Sequence, residues 1–308
     1  MKILCLGGTR FFGIGTVKKL IAEGHDVTIA TRGLTPDTFG DAVKRLKFDH
    51  RAEESFCAFE SRHYDAVIDK LAYASNDVKR AVWHISFGRY IMMSTCGVYK
   101  DLSGLSIKEE GFEASRYSLK WGERRWESCG VDGDFDYDEG KRQAECAAGI
   151  LLRPEQYVTV RCPIVMGRND YTGRLRFYVE HTLSGKPMNI TNLHAKVTYA
   201  YEDDAADFFV DVLKSDISGP VNVCSEGYLT VAEILDYIAK KTGAEAIIDE
   251  NGDPAPYNCF PEDTVYSTDK ARSFGFRFSS HYDWIYDLID YYIAEYKNKL
   301  CDGGRSSN

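Results

Sequence analysis

"KILCLGGTRFFG", residues 2–13, runs an apolar stretch into a glycine-rich corner, and the first half of the chain is organised around that pattern. After the corner, "TVKKLIAEG" (16–24) has helical spacing closed by Gly24, and "DVTIATRG" (26–33) is a second β-branched run. Residues 2–33 therefore predict a β-α-β unit with a phosphate-binding turn at its first corner. Further strand-like runs follow at "RLKFD" (45–49), "DAVIDKLAY" (65–73), "RYIMMST" (89–95) and "QYVTVRC" (156–162), separated by helix-length segments. The expected class is α/β: a Rossmann-type doubly wound parallel sheet with a smaller, interleaved C-terminal substrate lobe. Residues 1–161 form the dinucleotide-binding domain in this reading, with a returning segment near 197–224. Residues 162–196 and 225–300 form the substrate lobe, and the polar end 301–308 is a frayed tail.

Composition narrows the function. The 308 residues carry 47 acidic against 38 basic side chains, a formal charge of −9, so nucleic acid and anionic membranes are poor default partners. Nine scattered cysteines with no C-x-x-C pair read as reduced thiols of a cytoplasmic protein. Neither a secretory pattern nor an apolar run of membrane-spanning length is visible. The seven histidines show no zinc-type spacing, and no metal site is expected.

In the corner itself, Gly7 allows a tight turn, Gly8 a close backbone approach, and Gly13 close helix-strand packing, with the helix N-terminus facing a pyrophosphate. Thr9, Arg10, Phe11 and Phe12 complete the cofactor turn. Arg10 stands at its mouth and Arg32 follows the second strand, where a carboxylate for the adenosine ribose often stands. Two guanidiniums there suit a 2′-phosphate, which makes NADP the preferred cofactor and NAD the alternative. The competing reading is a pair of solvated arginines. Asp49, after the third run, either contacts the adenine edge or caps a turn.

"YDEGKRQAE" (137–145) places Tyr137 and Lys141 four apart on one helix face, so that a lysine ammonium can favour the phenolate and hold a ribose. The strand "RYIMMST" ends in the hydroxyls of Ser94 and Thr95 at the carboxyl edge where open α/β sheets bind ligands.

With these pieces assembled, the chain resembles an extended short-chain dehydrogenase/reductase of the NAD-dependent epimerase/dehydratase family. It is similar to the subgroup whose turn reads G-G-T-R-F-[IF]-G, which includes bacterial proteins of unassigned substrate and plastid RNA-associated relatives. The resemblance runs through "GGTRFFG", "STCGVY", "YDEGK", "RCPIVMGRNDYTGRL" and "YEDDAADFF". It implies Thr95 as the catalytic hydroxyl, Tyr137 as general acid/base and Lys141 as its partner. It also implies Ala72 as the small residue beside the cofactor, and Pro163 and Ile164 beside the nicotinamide. A basic residue at Arg10 touches the 2′-phosphate in related reductases. The Asp-Glu pair of sugar 4,6-dehydratases is here Cys96-Gly97, which disfavours dehydration. The stretch between Thr95 and Tyr137 is longer than in many family members, and residues 108–136 are expected to shape the substrate mouth or a partner surface.

Asp170, Tyr171 and Arg174, with Arg176, follow the strand end where the family binds substrate, and are substrate candidates set against an ordinary exposed turn. Cys96 is a further candidate, with a packing role as its alternative. Asp203 and Asp204 read as helix-capping acids. The expected activity is NAD(P)-dependent oxidoreduction or epimerisation of a hydroxylated small molecule, such as a nucleotide sugar. The alternative is a cofactor-binding regulatory or RNA-associated protein, with the arginines of "GERRWES" as a basic patch. The family's habit of pairing subunits near the Y-x-x-x-K segment leaves a homodimer open.

Overall fold

The computed structural model describes residues 1–126, 132–256 and 260–303. Alternation along the strands decides both faces of the main sheet: in β1 (Lys2–Leu6), Ile3 and Cys5 enter one apolar cluster and Leu4 and Leu6 the other. The remaining strands are β2 (Asp26–Thr31), β3 (Val43–Lys47), β4 (His63–Asp69), β5 (Ser86–Thr95), β6 (Tyr157–Cys162) and β7 (Gly219–Asn222). All pair in parallel, in the order β7-β6-β5-β4-β1-β2-β3. The order reverses between β1 and β4, which opens a crevice at their carboxyl ends.

The helices are α1 (Phe12–Ala22), α2 (Ser75–His84), α3 (Tyr137–Leu151), α4 (Arg174–Ser184), α5 (Glu202–Asp211), α6 (Val231–Thr242), α7 (Asp269–Ser273) and α8 (Ile285–Gly303). On one face of the sheet α1 packs against α5, closely enough that a Cβ on Gly15 would lie 3.0 Å from Ala206 Cβ. On the other face α2 packs against α3 through Val78, Ala81, Ala144 and Ala148. α3 starts where it does because the Asp136 carboxylate accepts the Glu139 amide at 2.8 Å. A separate apolar cluster joins α4, α6 and α8 through Val179, Leu235 and Ile289. The segment after β5 reaches towards this part of the chain, its short strand Gly104–Ile107 pairing with Thr264–Tyr266.

Behind the carboxyl edge lies a buried polar node. Arg161 of β6 is fully buried; it donates to Glu145 of α3 at 2.7 and 3.0 Å and to the carbonyls of Glu109 and Phe112 at 2.8 and 2.9 Å. At the chain end, where a frayed tail is expected from residue 301, α8 runs through Gly303. Residues 304–308 lie outside the described residues. No helix among the described residues is long and apolar enough to cross a membrane.

Candidate active site

The glycine turn joins β1 to α1 as its composition requires, with Gly7 at φ 90° and Gly8 at φ 106°. A Cβ on Gly13 would lie 2.9 Å from Gly8 Cα, so this glycine permits α1 to close on the turn. A Cβ on Gly8 would meet Val17 Cγ2 at 3.0 Å, so helix packing as well as ligand approach demands glycine there. Phe11, at the N-cap of α1, holds φ 52° and ψ −139°, a conformation costly for a residue with a side chain. Its buried ring is held by Phe12, Tyr171 and the Arg174 guanidinium at 5.2, 6.5 and 5.6 Å. At the start of α1 the amides of Gly13 and Ile14 donate to the carbonyls of Arg10 and Phe11, each at 3.0 Å, and the helix end carries the positive pole of its dipole.

Arg10 is exposed, donates from Nε to Thr35 Oγ1 at 2.9 Å, and lies 5.5 Å from the Tyr171 ring. Thr35 belongs to the loop that also carries Arg32, so the two arginines flank one loop. Asp49 caps its own turn, accepting the Arg51 amide at 3.1 Å. Burial raises its carboxyl, but that amide and the charges of Arg51, His50 and Arg32 outweigh it and hold the group below its ordinary value.

At the ends of β4 and β5 the chain gathers Thr95, Tyr137 and Lys141. Gly140 lets α3 press against the Tyr73 carbonyl, which brings the helix over the strand ends. Lys141 is buried and its Nζ donates to Ala72 O and Met93 O, each at 2.7 Å, which leaves one of its three donors for the site. Burial lowers its ammonium to about 8, with Asp69 and Asp77 opposing. Tyr137 is 37% exposed, its ring lying 6.4 Å from Tyr73 and 4.7 Å from the Arg124 guanidinium. Burial and Tyr73 raise the Tyr137 hydroxyl above the ordinary value, while the nearby Thr95 hydroxyl, which accepts the Gly97 amide at 3.1 Å, and the charge of Arg124 pull it back. At neutral pH the group is a proton donor, set beside a cation and a second hydroxyl.

Three residues singled out in the sequence prove to be committed elsewhere. Ser94 is fully buried and donates to Glu145 at 2.5 Å, because the strand's alternation turns it into the Arg161 node and away from a cofactor. Cys96 is buried against the Arg161 carbonyl, and burial drives its thiol well up, which favours the packing role. Asp170 is 2% exposed and its carboxylate is used on Thr172, the Arg174 amide and the Arg174 guanidinium. It shapes the loop and leaves Tyr171, 66% exposed, at the surface. Arg174 meets Asp170, the Val165 carbonyl and Phe11. Ala72 is buried beneath Lys141, while Pro163 and Ile164 are half-buried after β6.

Two groups of the crevice escape sequence reasoning, and a third is misplaced by it. Asp69, at the end of β4, accepts the amides of Leu71 and Ala72 at 2.7 and 3.0 Å and the Tyr90 hydroxyl at 2.6 Å. It sets the lip on which Ala72 and Tyr73 sit, and burial raises its carboxyl to about 6. Lys70 lies in the crevice between β1 and β4, its Nζ on Thr16 Oγ1 at 2.8 Å and 4.5 Å from the rings of Phe12 and Phe209. Arg124, expected in a basic surface patch, instead lies among Tyr73, Trp126 and Tyr137. Its aromatic neighbours in "KWGERRWE" were the available signal.

The fold that carries this site matches solved structures. A UDP-glucose 4-epimerase from Thermotoga maritima, solved with UDP-glucose, superposes with a TM-score of 0.73 at 16% identity, over 97% of this chain and 100% of that one. The present chain has the fold of the sugar-nucleotide epimerases. The UDP-glucose 4-epimerase of Thermus thermophilus with NAD gives 0.68 at 19% identity, over 95% of this chain and 99% of that one. A UDP-glucuronic acid 4-epimerase from Bacillus cereus with NAD gives 0.70 at 16% identity, over 95% and 100%. Among curated proteins, the chloroplast stem-loop binding protein of 41 kDa b of Arabidopsis thaliana is 23% identical over 261 residues, 79% of this chain. The chain spans 63% of the length of that relative. No protein-family model matches the chain.

Proposed function

We propose that the protein is an NAD(P)-dependent oxidoreductase or epimerase of the extended short-chain dehydrogenase type, acting on a hydroxylated small molecule of the nucleotide-sugar class. The observation that carries this reading is the convergence of Thr95, Tyr137 and Lys141 on the crevice that the glycine turn opens. The residues present fit a dinucleotide. Gly13 draws α1 onto the turn, the positive pole of α1 lies at the pyrophosphate position, and Lys141 keeps a donor for a ribose. Bound there, the nicotinamide supplies the hydride acceptor and donor.

Tyr137, protonated at rest, gives its proton to a ketone oxygen as that carbon is reduced, and in the oxidative direction takes the proton of the substrate hydroxyl only after losing its own. Thr95 holds the reacting oxygen, and Lys141, fixed by two carbonyls, keeps a positive charge behind the phenolate. In an epimerase the ketone turns before it is reduced on its other face; in a reductase the alcohol leaves.

Arg10 and Arg32 support NADP over NAD, since both flank the Thr35 loop and are exposed there. The relatives solved with a cofactor hold NAD. Titration with NADPH and NADH, followed by nicotinamide fluorescence, tests the preference. Tighter NADPH binding, lost in Arg10→Ala and Arg32→Ala, supports it; equal binding makes the arginines bystanders. Binding of neither nucleotide would remove the enzymatic reading. A homodimer would cover Trp83 of α2 and Ile150 of α3, 63% and 64% exposed, and sedimentation would report it.

The name of the plastid relative favours a second reading, RNA association. Arg124 is enclosed by aromatic rings, which leaves Arg125 of that pair exposed. Absence of RNA retention at low salt would exclude this reading.

A further inference from the structure

The insertion after β5 sends one cation into the site, and that cation meets no anion among the described residues. The Arg124 guanidinium lies 3.9 Å from the Trp126 ring, 4.7 Å from Tyr137 and 4.9 Å from Tyr73. Its Nε is buried without a hydrogen-bond partner, and Arg124 forms no salt bridge among the described residues. Asp138 feels its charge without pairing with it. Rings that cover a guanidinium's faces strip water from it but satisfy none of its N–H groups, so the edge is left as a set of strong donors. A buried donor without an acceptor is costly unless something completes it.

We propose that Arg124 binds a carboxylate of the substrate, which makes the substrate an acidic sugar derivative whose reacting carbon lies beside Tyr137. The inference rests on the nucleotide-sugar reading above and narrows it. A planar carboxylate of single charge matches one guanidinium edge, and the two parallel hydrogen bonds also fix the sugar's rotation. A phosphate, with higher charge, would call for a second cation, and the one donor that Lys141 keeps beyond Ala72 O and Met93 O is the one assigned above to a ribose. The ring stack gives the guanidinium a rigid seat, so little side-chain freedom is lost on binding.

The test titrates the 308-residue chain, saturated with whichever of NADP and NAD it binds more tightly, with UDP-glucuronate, UDP-glucose and glucuronate lacking the nucleotide. Calorimetry gives the affinities, and Trp126 fluorescence reports on the cage. Wild type should bind UDP-glucuronate at least about tenfold more tightly than UDP-glucose, because a site built for hydrogen bonds rejects the analogue lacking the group. Arg124→Met should bring that ratio close to one, and Arg124→Lys, which keeps charge but not the fork, should retain part of it. Melting temperatures verify folding, and Arg124→Lys alone decides the matter if Arg124→Met does not fold. Equal affinity for the two sugar nucleotides in wild type, or a preference that survives Arg124→Met, overturns the proposal. A UDP-glucuronate affinity no better than that of glucuronate alone would instead overturn the nucleotide-sugar reading on which it rests.

Discussion

Replacing Glu145 by glutamine removes the carboxylate that pairs with the buried Arg161 guanidinium at 2.7 Å, while keeping the side-chain volume. Arg161 is fully buried and Glu145 nearly so, so water cannot take over the charge. The remaining partners of Arg161, the Tyr99 hydroxyl at 3.2 Å and the carbonyls of Glu109 and Phe112, solvate it but do not neutralise it. Breaking one side of a buried pair costs about 3–5 kcal/mol. For a chain of 308 residues that corresponds to a fall in melting temperature of about 5–8 °C. Urea unfolding, monitored by tryptophan fluorescence and circular dichroism, would give the value. The double change Glu145→Leu with Arg161→Met should restore most of it, since an apolar pair of similar size avoids the desolvation penalty. A loss below about 1 kcal/mol in Glu145→Gln would refute the reasoning, by showing that the carbonyls alone suffice.

Lys70→Met should flatten the dependence of stability on pH. Burial lowers Lys70 to about 7 in the folded chain, against an ordinary value of 10.5, so from about pH 7 upward the unfolded chain binds more protons and stability rises as pH rises through that window. Melting temperatures at about pH 6.5 and 9.5 would show the rise in wild type and its loss in the variant. Gly13→Ala places a Cβ 2.9 Å from Gly8 Cα and must push α1 off the turn. Overpacking of this kind predicts weaker nucleotide binding, by about tenfold or more, together with a lower melting temperature. Tyr137→Phe should retain nucleotide binding and lose about 10²–10⁴ of turnover, measured as nicotinamide absorbance with a responsive sugar nucleotide.

Much of this architecture was readable from local pattern. The runs ending at Leu6, Thr31, Asp69, Thr95 and Cys162 are strands because their alternation buries both faces, and the glycine corner must turn where it does. Tyr137 and Lys141 were visible because four residues make one helical turn. What escaped is set by tertiary direction. Nothing local distinguishes Ser94, aimed at Glu145, from Thr95, aimed at Tyr137, except a parity that depends on which face α3 covers. Asp170 reads as a surface acid until Arg174 folds back on it. Arg124 reads as surface charge because its cage is assembled from three separated positions, Tyr73, Trp126 and Tyr137.

The segment that carries Arg124 is clamped at both ends. Upstream, the carbonyls of Glu109 and Phe112 are held by Arg161; downstream, Phe135 is buried and Asp136 caps α3. Between the clamps, Lys120, Gly122 and Glu123 are bonded to Gln143 of α3 and to Ser75 and Arg80 of α2, while the Arg124 guanidinium lies over the Tyr137 ring. Such an arrangement confines the exchangeable positions: Arg124 and Trp126 can be varied to redesign the proposed acid-binding side of the pocket, with Lys141 and the glycine turn left in register. It also offers a route by which descendants of one scaffold change diet without refolding.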